Sequence, residues 1–151
     1  MVQQLQSAES EIADFPHTTT MIGHVQSNKL SAAMDFASRI DTVDSLKLAQ
    51  RIARRQAARI QEGKENAPYP ILLQVNSSGS ESQFGCEPTA LIELANKIID
   101  LPELKIEGVM TIGAHTPERE AIIRSLNLHG SSRSSCRKFL VSKMHAKFRW
   151  E

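Results

Sequence analysis

Ile71-Leu72-Leu73-Gln74-Val75, followed by the polar stretch Asn76-Ser77-Ser78-Gly79-Ser80-Glu81-Ser82 and then by Leu91, Leu94, Ala95, Ile98 and Ile99, decides how this chain folds. A short, nearly continuous apolar run bounded by turn residues is the pattern of a parallel strand covered on both faces. The polar stretch reads as a loop, and Pro88 stands where a first helical turn accepts it. The apolar residues from Leu91 recur at i, i+3, i+4, i+7 and i+8, a helix stripe that Pro102 closes. Ile106, Val109, Met110 and Ile112, interrupted by Gly108, then predict another strand over 105–112. A strand, a crossover helix and a second strand form one parallel unit, because parallel neighbours need a connection of about a dozen residues.

The same alternation extends upstream. Val43, Leu46, Ala49, Ile52, Ala53, Ala57 and Ile60 predict an amphipathic helix over about 42–60, with Thr42 or Asp44 as its cap, Arg and Gln on its other positions and Gly63 as its stop. Residues 66–70 read as a Pro-punctuated turn, 38–41 and 18–22 as strands, and 2–13 as a helix. The order α-β-α-β-α-β-α-β implies a parallel sheet with right-handed connections and sequence neighbours adjacent in space. Ligands of such sheets bind at the carboxyl ends of the strands. Here those ends are Gly23 to Lys29, residues 42–44, Asn76 to Gly85, and Thr111 to Pro117.

Composition sets the outer limits. The chain has 151 residues, 40% hydrophobic and 23% charged, with a net charge of +1. This describes a globular protein whose core needs neither disulfide nor metal, so Cys86 and Cys136 are expected as free thiols in a reducing compartment. No run of about 18 apolar residues and no basic-then-apolar leader is visible, which points away from the membrane and to the cytoplasm. A complete eight-fold β/α barrel typically takes about 250 residues and is excluded as a whole. The neutral total conceals a step: residues 1–123 carry 11 Lys and Arg against 16 Asp and Glu, whereas residues 124–151 carry seven against Glu151 alone. With Gly130-Ser131-Ser132-Arg133-Ser134-Ser135, the step divides the chain into a body, 1–123, and a basic, Ser-rich, irregular tail, 124–151.

Chemistry-bearing motifs are few. Gly23-His24-Val25-Gln26-Ser27-Asn28-Lys29 gathers a glycine, an imidazole, two amides and an ammonium in a strand-to-helix turn. It suits an anionic or heterocyclic ligand, or equally a turn that caps a helix through Ser27 or Asn28. The Asn76–Gly85 loop matches neither common nucleotide-binding glycine pattern. His17, His24, His115, His129 and His145 are scattered with no metal-ligand spacing, so no metal site is expected, and no G-x-S-x-G elbow is present. The tail cations lack a stacking platform or DNA-binding motif, which argues against a nucleic-acid partner.

Four stretches in order carry a resemblance: Ile22-Gly23-His24-Val25-Gln26-Ser27-Asn28-Lys29, Thr42-Val43-Asp44-Ser45-Leu46-Lys47-Leu48-Ala49, Gln74-Val75-Asn76-Ser77-Ser78-Gly79 with Phe84-Gly85, and Ile106-Glu107-Gly108-Val109-Met110-Thr111-Ile112-Gly113. Together with Val2-Gln3-Gln4-Leu5 they resemble the pyridoxal phosphate homeostasis family, whose fold is like the N-terminal barrel domain of alanine racemases. The resemblance implies a partial (β/α) TIM-type barrel, about strands three to six of eight, all parallel, over residues 2–125. It implies pyridoxal 5′-phosphate (PLP) as cofactor, a small-molecule partner, and a carrier with no established turnover and no catalytic residue. Gly23, His24, Asn76, Met110 and Thr111 stand at strand ends that would line the cofactor.

The family's imine lysine lies in a V-S-K strand before the point where this chain starts, and its phosphate loop and final strand have no counterpart after residue 125. The expectation is therefore a chain short at both ends, with PLP binding lost or weakened. Leu140-Val141-Ser142-Lys143 repeats the lysine strand in three residues, but Met144-His145-Ala146 replaces the T-K-P that follows it, and Lys29 belongs to the Q-S-N-K turn. Two other functions remain open at this stage: an interaction protein that associates through exposed barrel edges, and a fragment of a PLP-dependent racemase-type enzyme, for which the sequence shows no acid–base pair.

Overall fold

The computed structural model describes residues 17–26, 28–80, 83–112, 118–120 and 123. The helix expected over 2–13, the tail 124–151 and the permuted-lysine segment around Lys143 lie outside the described residues. Within them the order is β1 (Thr20–Met21), α1 (Leu30–Phe36), β2 (Arg39–Val43), α2 (Leu46–Gln61), β3 (Tyr69–Val75), a 3-10 turn (Pro88–Ala90) running into α3 (Leu91–Ile99), and β4 (Leu104–Thr111). The four strands form one sheet in the order β1-β2-β3-β4, and every neighbouring pair is parallel, as the alternation of strands and helices predicts.

The pleat divides this sheet into two unlike faces. Met21, Ile40, Ile71 and Ile106 are register partners across the four strands, and all are buried. With Val43, Leu73 and Val75 they form the face under the helices, where Ala33 and Met34 of α1, Ala49 and Ile52 of α2, and Leu91, Ala95 and Ile98 of α3 complete the core. The opposite face carries Arg39 and Asp41 of β2, Leu72 of β3, and Lys105 and Glu107 of β4. Here Arg39 Nε donates to Asp41 at 2.6 Å and Arg39 also meets Glu107 at 3.5 Å, while Lys105 meets Glu107 at 3.1 Å. The hydrogen bond to Asp41 raises the Arg39 pKa above its ordinary value. Gly108 lies beside Leu72 on this strand pair, where a Cβ would stand at ordinary van der Waals contact, 3.5 Å from Leu72 Cδ2.

Three expected boundaries move. β2 runs on through Thr42 and Val43, so Val43 is a fully buried strand residue and not the start of a helix stripe. The helix begins at Leu46 under a Ser45 cap, whose side chain accepts from Leu48 N at 3.4 Å; neither Thr42 nor Asp44 caps it. β3 starts at Tyr69, inside the expected turn, because its N–H donates to Glu103 O at 2.8 Å and pairs the strand with the residue that leads into β4. Pro70 is tolerated there on a half-buried position.

The far end of α2 holds a larger difference. Its apolar stripe continues not through Ala57 to Ile60, which is 40% exposed, but through Gln56 and Arg59, both buried. Arg59 donates to Met34 O at 2.6 Å and to Glu65 at 3.1 Å, and its guanidinium lies over the Tyr69 ring. Gln56 donates to Ala67 O at 2.7 Å, and the Tyr69 hydroxyl to Ala37 O. Three long polar side chains thus satisfy backbone carbonyls at the amino edge of the sheet, where α1, α2 and β3 meet.

Candidate functional site

The carboxyl edge is built from the ends of β1 to β4 and the segments that follow them. After β1 the chain turns at Gly23, whose φ of +100° suits glycine and few other residues. Thr42 Oγ1, at the end of β2, donates to Gly23 O at 2.9 Å and ties this turn to the neighbouring strand. The next residue, His24, is exposed and stacks on Phe84, with ring centroids 5.1 Å apart and an interplanar angle of 22°. The loops after β1 and β3 are thereby joined across the end of β2.

The loop after β3 is held from within. Asn76 Nδ2 donates to Ser80 O at 2.8 Å and Gln83 O at 3.1 Å, while its Oδ1 accepts from Ser78 Oγ and Gly79 N, both at 3.0 Å. The amide thus makes two donor and two acceptor contacts inside the loop, so Asn76 shapes the site and does not reach outward. The loop returns alongside its own strand: Cys86 N donates to Gln74 O and Asn76 N to Cys86 O, both at 2.9 Å. At Gly85, with φ of +133°, a Cβ would overlap Asn76 N and Val75 C, so only glycine admits this close return. Gln74 Nε2 supports the carbonyl of Phe84 at 3.0 Å.

Across the seam between β3 and β4, Ser77 Oγ and Thr111 Oγ1 lie 2.7 Å apart, and Thr111 Oγ1 also lies 2.8 Å from Val75 O, to which it donates. Met110 is the register partner of Gln74 and is half-buried. The five residues expected at strand ends therefore do share this edge: Gly23, His24, Asn76, Met110 and Thr111. Sequence reasoning missed Thr42, which it assigned to a helix cap, and Ser77. It also nominated no role for Phe84, although a single aromatic residue flanked by glycine in a polar loop is itself a signal.

Comparison with known proteins gives this edge a context. The sequence profile of the alanine racemase N-terminal domain matches residues 2–137. The chain belongs to the alanine racemase N-terminal domain family. Among its relatives, a protein of Pseudomonas aeruginosa named pyridoxal phosphate homeostasis protein is 36% identical over 120 residues, which cover 80% of this chain and 50% of that one. The chain thus spans about half the length of the curated relatives it matches. A protein of unknown function from Bifidobacterium adolescentis has a similar structure, with a TM-score of 0.70 and 35% identity over 83% of this chain and 46% of the other. PipY of Synechococcus elongatus PCC7942, solved without PLP, superposes with a TM-score of 0.69 at 23% identity, over 89% of this chain and 62% of its own, a likeness of fold. The parallel sheet described above is part of the barrel of this family.

The edge residues fit one part of a PLP molecule. The His24–Phe84 stack and the Ser77 and Thr111 hydroxyls suit the faces and rim of a flat, polar heterocycle. They do not fit its aldehyde or its phosphate. Lys29, the residue that caps α1, and Lys47, in the first turn of α2, are exposed, and Lys105 of β4 lies near the amino end of its strand, level with Pro70 and 3.1 Å from Glu107. In the β3 loop the N–H groups of Asn76, Gly79, Ser80 and Cys86 already donate within the loop, so they form no open cradle for an anion. Among the described residues no group of three or more His, Cys, Asp or Glu side chains is placed to hold a metal ion, and no helix is long and apolar enough to cross a membrane.

Proposed function

We propose that this chain is a cytoplasmic PLP-binding protein of the homeostasis type. Its carboxyl edge forms the ring-side wall of the site and holds the cofactor reversibly and weakly, without a covalent bond. The observation that carries this reading is the 36% identity to a protein named for PLP homeostasis, extending over most of this chain. The edge geometry supports it: His24 and Phe84 offer an aromatic face, Met110 and Thr111 stand at the carboxyl end of β4 on the same edge, Gly23 supplies the turn that carries His24, and Asn76 fixes the loop that carries Phe84. We assign binding to the body, residues 1–123, and treat the basic segment 124–151 as separate from it.

The test is equilibrium dialysis of the purified chain against PLP, followed by borohydride reduction and peptide mapping. Reversible occupancy that saturates only at high PLP, with no stoichiometric adduct, is the expected result. A stoichiometric adduct at Lys29, Lys47 or Lys143 would overturn the non-covalent part. The absence of saturable occupancy at any concentration would overturn the assignment itself.

A further inference from the structure

The two rings that meet across the end of β2 are not held alike. Phe84 is fastened through its backbone. Gln74 Nε2 donates to Phe84 O at 3.0 Å, Asn76 Nδ2 donates to the preceding carbonyl, Gln83 O, at 3.1 Å, and Gly85, the next residue, lies tight against Asn76 N and Val75 C. Its side chain is nevertheless 57% exposed, so a firmly built loop presents a large apolar ring instead of burying it.

His24 is held from one side only. Thr42 Oγ1 donates to Gly23 O, but Gly23, with φ of +100°, has open space where a Cβ would stand. Among the described residues no hydrogen bond or ion pair restrains the imidazole. What keeps the imidazole in place is its stack on Phe84, with centroids 5.1 Å apart and planes 22° from parallel. That is the offset, near-parallel arrangement two flat rings prefer. An imidazole is itself a flat nitrogen heterocycle, so the face of Phe84 already carries a ring of the class that the proposed site would take.

We propose that Phe84 is the stacking platform for the pyridine ring of the ligand, and that His24 occupies this platform until the ligand displaces it. The inference rests on the reading of this edge as a PLP site. The exchange needs no movement of the β3 loop, which its hydrogen bonds resist. It replaces one stack by another, and the exposed imidazole swings into water by side-chain rotation, a fast motion that leaves no buried polar group unpaired. His24 therefore works against binding. Where only a fraction of the molecules is competent, the apparent affinity falls in proportion to that fraction. An aromatic pair favours its stacked state by about two- to tenfold, and the imidazole should lower the affinity for PLP by about that factor.

Equilibrium dialysis of the full chain and three variants against PLP tests this through the sign of the effects. His24→Ala should bind PLP about two- to tenfold more tightly. Phe84→Leu keeps the apolar bulk without the ring and should bind more weakly by about the same factor, and Phe84→Trp should restore the affinity. If His24 were a second wall of the site, His24→Ala would weaken binding. That result, or an affinity indifferent to both positions, would overturn the inference and leave the PLP reading standing. Saturable binding by neither the unaltered chain nor any variant would overturn both. A second measurement does not depend on the variants folding. As PLP saturates the unaltered chain, nuclear Overhauser contacts between the His24 and Phe84 rings should vanish and contacts between the Phe84 ring and the ring proton of PLP should replace them. His24–Phe84 contacts that persist at saturation would contradict the inference.

Discussion

The two ends of the sheet use the same device for different purposes. At the amino edge, Arg59, Gln56 and Tyr69 donate to the carbonyls of Met34, Ala67 and Ala37, and all three side chains are buried. At the carboxyl edge, Thr42, Asn76 and Gln74 donate to the carbonyls of Gly23, Ser80, Gln83 and Phe84, but the groups they position, His24 and Phe84, are exposed. Polar side chains at the first edge seal helix ends to a strand; at the second they shape loops around an open surface. With the proposed function, the difference separates stability from function along one axis, in keeping with parallel β/α architecture, whose ligand sites lie at the carboxyl ends of the strands.

Breaking the amino edge should cost the most. Arg59→Ala removes two hydrogen bonds and the contact with Tyr69 and leaves Met34 O buried without a partner, so a loss of about 3 kcal/mol is expected in urea unfolding. The amide spectrum of the carboxyl edge should survive in the folded fraction. Gly85→Ala tests the other end. A Cβ cannot be placed against Asn76 N, so the loop must move, costing about 2 kcal/mol and breaking the His24–Phe84 stack, which the His24 ring-proton shifts would report.

Tyr69 sharpens the comparison through pH. Burial pushes its hydroxyl up to about 12. An unfolded tyrosine loses its proton near pH 10, so above that pH the folded chain holds a proton that the unfolded chain has released, and stability falls as pH rises. The expected decline lies between about pH 10 and about 12, with no contribution from this group below it. Tyr69→Phe should abolish that part of the decline and cost about 1–2 kcal/mol at neutral pH through the loss of the bond to Ala37 O. Thr42→Val, nearly isosteric, should have the smallest effect, about 1 kcal/mol, and should loosen the Gly23 turn, seen as faster amide exchange at Gly23 and His24.

The contrast between the two edges was only half legible in the sequence. The apolar run Ile71–Val75, the helix stripe over Leu91–Ile99 and the strand over 105–112 follow from local patterns, and the parallel order follows from the helices between the strands. The helix stripe of α2 misleads at its end, because Arg59 and Gln56 are buried for the carbonyls they reach in Met34 and Ala67, partners 25 and 11 residues away that no local pattern marks. Thr42 fails for a related reason: a threonine before a helix resembles a cap, and only the strand register shows that its hydroxyl faces Gly23. At the site, Asn76 was found for its position, but its role lies inside its loop, a distinction made by four hydrogen-bond contacts and invisible in the letter N. The His24–Phe84 stack joins residues 60 positions apart and could not be read from either motif alone.

The most direct test of the account is a titration of the isotopically labelled chain with PLP, followed by amide chemical shifts. Saturable shifts at Gly23, His24, Phe84, Met110 and Thr111, with Arg59, Gln56 and Tyr69 unmoved, are the predicted result. Shifts concentrated at the amino edge, or spread evenly over both edges without saturation, would contradict the claim that the carboxyl edge is the cofactor side of this chain.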